Sequence, residues 1–238
     1  MNGRDCSRRL FLLQGVLLGV ALGQGGCAPL PIRQGVRRIE GEARLDGGPL
    51  GVDGLVRPGD TVTTGPKGRM VLVMGEDAFL LGENTVLSFH AETLATPTPT
   101  PEPESRSTPQ KPAQADPMSR TTGFTLRSGR ALSVFGAGSR TLITPTATIG
   151  IRGTGLFLHV APEQDYLCLC YGRVDIRMHA SPRVAETLEA RHHSARYLSP
   201  DASIRKGPMI NHTDEELFML EALVNRRPPF AEDGKTGY

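Results

Sequence analysis

The sequence predicts a mainly β fold of stacked short strands, solenoid-like or sandwich-like, with one C-terminal α-helix. Three observations carry this. The 238 residues include 28 Gly and 19 Pro and no Trp, and Gly and Pro are the residues that helix interiors tolerate least. Short apolar or alternating runs recur between turn signals along most of the chain. Only near the end does the apolar spacing change to a helical period. The charge is nearly balanced, 27 Lys and Arg against 25 Asp and Glu, so the electrostatic footprint of a nucleic-acid binder is missing and nucleic acid is not expected as a partner.

The chain opens on residues 1–28, which read as an export signal peptide. Arg4, Arg8 and Arg9 precede an apolar run from Leu10 to Leu22. Thirteen helical residues span ~20 Å, short of a hydrocarbon core of ~30 Å, so this is a signal rather than a spanning helix. Ser7-Arg8-Arg9-Leu10-Phe11-Leu12 resembles the twin-arginine motif, although Leu13 stands where that motif ends in Lys. An ordinary secretory signal with two arginines is the competing reading. Cys27 follows Gly25 and Gly26 as the acylated Cys of a lipobox would, with Gln24 in place of the usual Leu. Lipidation of Cys27 would anchor the mature chain to a membrane, and simple cleavage would release it to the periplasm.

Strand candidates follow in order. Glu42–Leu45 ends at Asp46-Gly47-Gly48-Pro49; Thr61–Thr64 follows the Pro58-Gly59-Asp60 turn; Arg69–Met74 stops at Gly75; Phe79–Leu81 and Val86–His90 flank Gly82-Glu83-Asn84. From Ala95 to Pro117 come 7 of the 19 prolines, with no large apolar side chain. Nothing there offsets ordering entropy, so 95–118 is expected to be a disordered insertion. Beyond it lie Phe124–Arg127, Ala131–Phe135, Thr141–Thr144, Thr148–Ile151, Leu156–Val160, Tyr166–Tyr171 and Arg173–Met178. Residues 180–238 read as a C-terminal extension with a helix over about 213–226. Thr213-Asp214-Glu215-Glu216 is a capping box, and Leu217, Leu220, Leu223 and Val224 share a face. Arg226 and Arg227 suit the negative end of that helix, and Pro228-Pro229 would stop it.

The order of these pieces carries a resemblance. Gly41-x-Ala43, Leu50, then Val56-x-Pro58-Gly59-Asp60-x-Val62-x-Thr64-Gly65 resembles the opening of FecR-type domains, named after the regulator of ferric-citrate uptake. Arg69 to Val73, Leu81 to Thr85, Thr144-Pro145-Thr146-Ala147-x-Ile149-Gly150-x-Arg152-Gly153-Thr154 and Gly172-x-Val174 continue it. The resemblance divides the domain into 40–94 and 119–179, on either side of the Pro-rich insertion. It implies a periplasmic β-structure of stacked strands with a binding role. In the founding regulators a cytoplasmic segment and a spanning helix relay a signal to a sigma factor. An export signal stands in that place here, so the relay is not implied.

Chemistry-bearing residues are few. In Tyr166-Leu167-Cys168-Leu169-Cys170-Tyr171, strand alternation puts Leu167, Leu169 and Tyr171 on one face and both sulfurs on the other. Residues i and i+2 of a strand lie ~6.6 Å apart at Cα, near the limit for a disulfide, so bridging would need a bent strand. Two thiolates with His193 and His212 would instead make a tetrahedral zinc site. His192 and His193, adjacent on a strand, would point opposite ways, so one of them would join. The reading preferred from the sequence is that the cysteines pack as small hydrophobes or form a strained bridge while the histidines face solvent, with the zinc site as its alternative. The Leu stripe of the helix must be buried somewhere, and docking it on the sulfur face would bring His212 towards both cysteines.

No Gly-x-Ser-x-Gly elbow, His-Glu-x-x-His or P-loop occurs, so no catalytic residue is assigned and an enzyme is not expected. The expected function is an exported cell-envelope binding or scaffolding protein, in envelope signalling, with an envelope protein or glycan as partner. The alternative is a metal-binding or redox protein that uses the Cys-x-Cys/His cluster with zinc.

Overall fold

A computed structural model describes residues 31–90 and 122–233. The signal segment 1–28 with Cys27, and the Pro-rich tract 95–118, lie outside the described residues. The strands are β1 (Gly35–Glu40), β2 (Ala43–Leu45), β3 (Gly48–Pro49), β4 (Thr61–Thr64), β5 (Arg69–Met74), β6 (Asp77–Leu81) and β7 (Val86–His90). After them come β8 (Gly123–Val134), β9 (Ser139–Ile143), β10 (Ala147–Val160), β11 (Asp165–Met178), β12 (Ala185–Ala190), β13 (Ser194–Leu198) and β14 (Ile204–Gly207). Helix α1 (Asp214–Leu223) and a 3₁₀ turn at Pro229–Asp233 follow. Among the described residues the fold is mainly β with one α-helix near the C-terminus.

The strands join in one mixed sheet whose path runs β14-β13-β11-β10-β9-β8-β7-β4-β2-β3, with β1, β5, β6 and β12 attached beside it. β8 and β9 pair in parallel. Several pieces expected as separate short strands are continuous. β8, β10 and β11 run 12, 14 and 14 residues, through the places where glycines suggested ends. The pairing shifts register there instead, opposite Val86/Leu87 on β8 and over Arg152 to Leu156 on β10. Gly129, Gly153 and Gly172 all have positive φ. A bulge bends and twists a strand without ending it, so each long strand can serve two sets of neighbours. β11 pairs with β13 over Asp165 to Leu169 and with β12 over Gly172 to Arg177.

The bulges also exchange the faces. On β10 the inward residues are Ile149 and Ile151 before the shift and Leu156 and Leu158 after it; on β11 they are Leu167 and Leu169, then Val174 and Ile176. These side chains join Leu72, Phe79, Phe89 and Phe124 in a first apolar cluster. Val71, Val73, Leu80, Leu132, Val134 and Phe157 face the other way and build a second cluster, which α1 covers with Leu217, Leu220 and Val224.

The extension 180–238 holds β12, β13 and β14 as well as the helix. Ala185-Glu-Thr-Leu-Glu-Ala has the composition of a helix, and only Leu188 of it is buried. Its strand form comes from pairing along β11, a long-range contact that local propensity does not report. The helix is shorter than expected. Thr213 caps it, with Glu216 N–H donating to Thr213 Oγ1 at 3.3 Å and Thr213 N–H donating to Glu216 Oε2 at 3.1 Å. It ends at Leu223, so Arg226 lies past the last turn, where its guanidinium donates to the Glu221 carboxylate (2.6 Å) and the Glu76 carbonyl (2.8 Å). Among the described residues no helix is long and apolar enough to cross a membrane.

Candidate metal centre

β11 carries both cysteines to the second face. Leu156 pairs with Leu169 and Gly155 with Tyr171, which leaves Cys170 as the extra residue of a bulge. Alternation keeps Cys168 and Cys170 on one face, and the bulge adds Tyr171 to it rather than to the Leu167–Leu169 face. The Tyr171 ring needs a glycine opposite, since a Cβ on Gly155 would lie 2.4 Å from its Cε1. Both thiols are free and buried.

His193 comes from the turn between β12 and β13. Its backbone is left-handed, φ 43, and its N–H donates to the Cys170 carbonyl at 3.0 Å. Because this is a turn, His192 and His193 do not point opposite ways: their ring centroids are 4.4 Å apart and both rings reach Asp214. His193 alone continues to the sulfurs. His212 stands between Asn211, also left-handed at φ 62, and the N-cap Thr213. Its ring stacks on Phe157, 4.6 Å between centroids and 12° between planes.

The hydrogen-bond partners fix how each ring faces the cluster. A carbonyl or carboxylate oxygen can only accept. His212 Nδ1–H therefore donates to Ile210 O (2.8 Å) and His193 Nε2–H to Asp214 Oδ1 (2.8 Å). The other nitrogens turn inward. His212 Nε2 lies 3.4 Å from Cys170 Sγ, His193 Nδ1 lies 3.6 Å from Cys168 Sγ, and the two nitrogens are 3.4 Å apart. All four donor atoms fall within 4.8 Å of one another. Metal–sulfur bonds of ~2.3 Å and metal–nitrogen bonds of ~2.0–2.1 Å put tetrahedral edges at about 3.3–3.4 Å for N···N and about 3.5–3.6 Å for S···N. These three spacings lie within about 0.2 Å of those edges, and the other three donor pairs lie within 4.8 Å.

Electrostatics divides the two thiols. The hydrogen bond from Cys170, then those from His193 and His212, hold the Cys168 thiol down to about 3 against the cost of burial. Burial, and then the neighbouring Cys168, pushes the Cys170 thiol up. Burial also works against a charged His193, but its hydrogen bonds to Cys168 and Asp214 outweigh that and raise its pKa. In the metal-free cluster these interactions thus favour the thiolate at Cys168, the neutral thiol at Cys170 and the charged form of His193. A divalent cation would displace the protons of Cys170 and His193 and bind the same four atoms.

Cys168, Cys170, His193 and His212, singled out in the sequence, are brought together. His192 and Glu215 are not: His192 is half-exposed and bonds Asp214, and Glu215 is exposed. Asp214 could itself be a ligand, since His192, His193 and Asp214 form a second group of donors. Its 2.8–3.1 Å contacts to the two rings are hydrogen-bond distances, shorter than the edges of a coordination polyhedron. Asp214 orients His193. The sequence shows Asp214 and Glu215 just after His212 and at a helix N-terminus, without making either a ligand; the position of Asp214 two residues past His212 was the available signal. Phe157, which fixes the plane of His212, had none.

No protein family and no curated protein matches the chain. Two crystal structures of a proposed anti-sigma factor from Parabacteroides distasonis ATCC 8503, at 1.65 and 2.50 Å resolution, share part of its strand arrangement. Their TM-scores are 0.45 and 0.44 at 11% identity, over 68% of this chain. The chain spans 64% of that protein, just under two thirds of its length.

Proposed function

We propose that the chain is a metal-binding β module of the cell envelope, in which Cys168, Cys170, His193 and His212 hold one tetrahedral divalent ion of the zinc class. The observation that carries this reading is the agreement of the three donor spacings, 3.4, 3.4 and 3.6 Å, with the edges of an S₂N₂ tetrahedron. Soft thiolates with imidazoles select zinc over magnesium or calcium, which take oxygen. Four protein ligands close the coordination shell and leave no position for substrate, so the ion is structural and the module binds or scaffolds rather than catalyses. The orienting bonds from Asp214 and Ile210 are those that metal-bound histidines require of their surroundings.

The envelope part of the proposal rests on the signal-like residues 1–28, the lipobox-like Cys27 and the FecR-type pattern. In that setting the partner is an envelope protein or a glycan, and the role is in envelope signalling.

Elemental analysis of the purified full-length chain should find one zinc per chain. Cobalt(II) loading should give the d–d bands of a tetrahedral site with thiolate charge transfer, and Cys170→Ser should lose both. A chain that takes up no stoichiometric metal, or keeps it undiminished in Cys168→Ser and Cys170→Ser, would overturn the reading.

A further inference from the structure

Three of the four donors belong to the sheet: Cys168 and Cys170 to β11, and His193 to the β12–β13 turn. The fourth, His212, belongs to the segment 208–233 that crosses the second face. That segment covers Val71, Val73, Leu80, Leu132, Val134 and Phe157 with Leu217, Leu220, Val224 and Phe230. We infer that the metal fastens this segment to the sheet, so that metal loading decides whether the second apolar face is covered. The inference rests on the proposed metal site.

Two features make the segment a two-state element. The first is its size. A helix of ten residues is marginal in water on its own, so α1 exists only while docked. Docking and helix formation are then one event, and the cover is on or off rather than graded. The second is the quality of the interface. Besides its apolar side chains the segment buries Glu221, held by the Tyr171 hydroxyl and by Arg226. The Arg226 Nη2 atom is buried with no hydrogen-bond partner. Burying charge under an apolar surface offsets much of what that surface contributes, because ion pairs pay for desolvation. The remaining ties include the part-buried Tyr166 hydroxyl, which donates to the Pro208 carbonyl (2.7 Å) and accepts from Ile210 N–H (3.1 Å). Partly exposed contacts such as Arg69 to Glu216 contribute little.

Against that background the metal ligation of His212 is the strongest single connection between segment and sheet. Without the ion, His212 Nε2 keeps only contacts of 3.4 Å to Cys170 Sγ and to His193 Nδ1, which are weak hydrogen bonds at best. Asp214 is joined to the same arrangement, since it holds His193 from the segment side. Removal of the ion therefore loosens the His212 attachment at the start of α1, while the Asp214 bonds to His192 and His193 remain. The released state exposes the second apolar face.

Amide hydrogen exchange of the full-length chain tests this, with zinc content measured on the same samples. With zinc in excess, linkage shifts the docking equilibrium by the ratio of zinc affinities of the docked state, with four donors, and the released state, with three. A ligand worth about a hundredfold in affinity gives a shift of about a hundredfold relative to chelator-stripped protein. Amides of Leu217 to Val224 should then exchange about a hundredfold faster on stripping, and re-addition of zinc should reverse the change. Amides of β5 to β8 around Phe79 and Leu126 should keep their protection, which separates local release from unfolding. His212→Ala, with both cysteines intact, should exchange through α1 at the stripped rate even in excess zinc. If zinc binds one per chain and α1 exchange is unchanged by stripping, or if His212→Ala stays as protected as the loaded chain, the inference is overturned while the metal site stands. If the chain takes no zinc, the metal site falls and the inference with it.

Discussion

Two apolar clusters lie on opposite faces of one sheet, and they are completed by different means. At the centre of the first, Phe79 stands edge-on to Phe89, Phe124 and Phe135, with centroids 5.3, 5.6 and 5.9 Å away. The members of this cluster are aliphatic, Met or Phe side chains, drawn from the strands and from Val56, Phe135 and Ala202 in the connections between them. The second contains Cys168, Cys170, Tyr166 and Tyr171 and is covered by a helix, with His212 and Glu221 buried beside it. The first needs a polar partner only at its margin, where the buried Asp77–Arg140 ion pair lies beside Phe135. The second buries groups that are costly unless each finds a proton, a counter-charge or a metal. Chemistry is therefore concentrated where the cover is, and perturbing metal should act on one face and spare the other.

The largest expected effect breaks the first cluster. Phe79→Ala removes a ring in contact with three others at a fully buried site, and Phe→Ala changes of that kind cost about 3–5 kcal/mol. Denaturant unfolding should show this loss equally with and without chelator. A loss that depended on metal would mean that the two clusters are one energetic unit. Next in size is the metal itself. At free zinc about a hundredfold above Kd, binding stabilises the loaded chain by about 2.7 kcal/mol. Cys170→Ser should abolish the difference between loaded and stripped midpoints, and a persisting difference would place the metal elsewhere.

The comparison also separates what could be read from the sequence from what could not. Thr61–Thr64, Arg69–Met74 and Val86–His90 were legible to the residue, because alternation or an apolar run ends there at Gly, Pro or Asn. The halves of β8, β10 and β11 were legible as strands. Their continuity was not, since Gly129, Gly153 and Gly172 signal a turn and a bulge alike, and only the pairing partner decides between them. Tyr171 was assigned to the wrong face for the same reason: an extra residue at Cys170 shifts the alternation, and nothing in the residue types marks it. β13 and β14 follow a segment of mixed composition and were missed. In the candidate site the donor types were legible from Cys-x-Cys and the later histidines. The left-handed backbone of His193 was not, because non-glycine residues adopt it only when the surroundings impose it.

A smaller effect sharpens the second cluster from within. Asp214→Asn keeps the shape of the side chain and removes the charge that holds His193 Nε2–H. Outer partners of metal-bound histidines are worth about 10–100-fold in affinity, so zinc affinity should fall at least tenfold, about 1.4 kcal/mol. Competition with a chromophoric chelator measures this directly. The β amides should change little, since Asp214 is not part of the apolar packing, while the thermal midpoint of the stripped protein should fall slightly with the loss of the Asp214 bonds to His192 and His193. An unchanged affinity would remove Asp214 from the site.

The smallest effect concerns a histidine on β10 outside the metal site. His159 is half-buried and pairs across the sheet with Arg130 on one side and Tyr166 on the other. Burial, and then the Arg130 charge, lowers its pKa below the ordinary value. The sign follows from proton counts. Below about 6.5 the unfolded chain protonates this imidazole while the folded chain resists, so the unfolded state binds more protons there. Stability contributed by the neutral form is intact above that pH and falls as the pH drops from about 6.5 towards the lower folded value. His159→Gln removes the titrating group and should remove this part of the slope. Acid also competes with metal at the thiolates, so the quantity to measure is the difference in unfolding free energy between His159→Gln and the parent chain, both stripped of metal, from pH 8 to 5. The difference should be constant above about pH 7 and shift in favour of His159→Gln below about 6.5. A flat difference across the range would show that His159 titrates alike in both states, and a shift of opposite sign would show a carboxylate, not Arg130, controlling it.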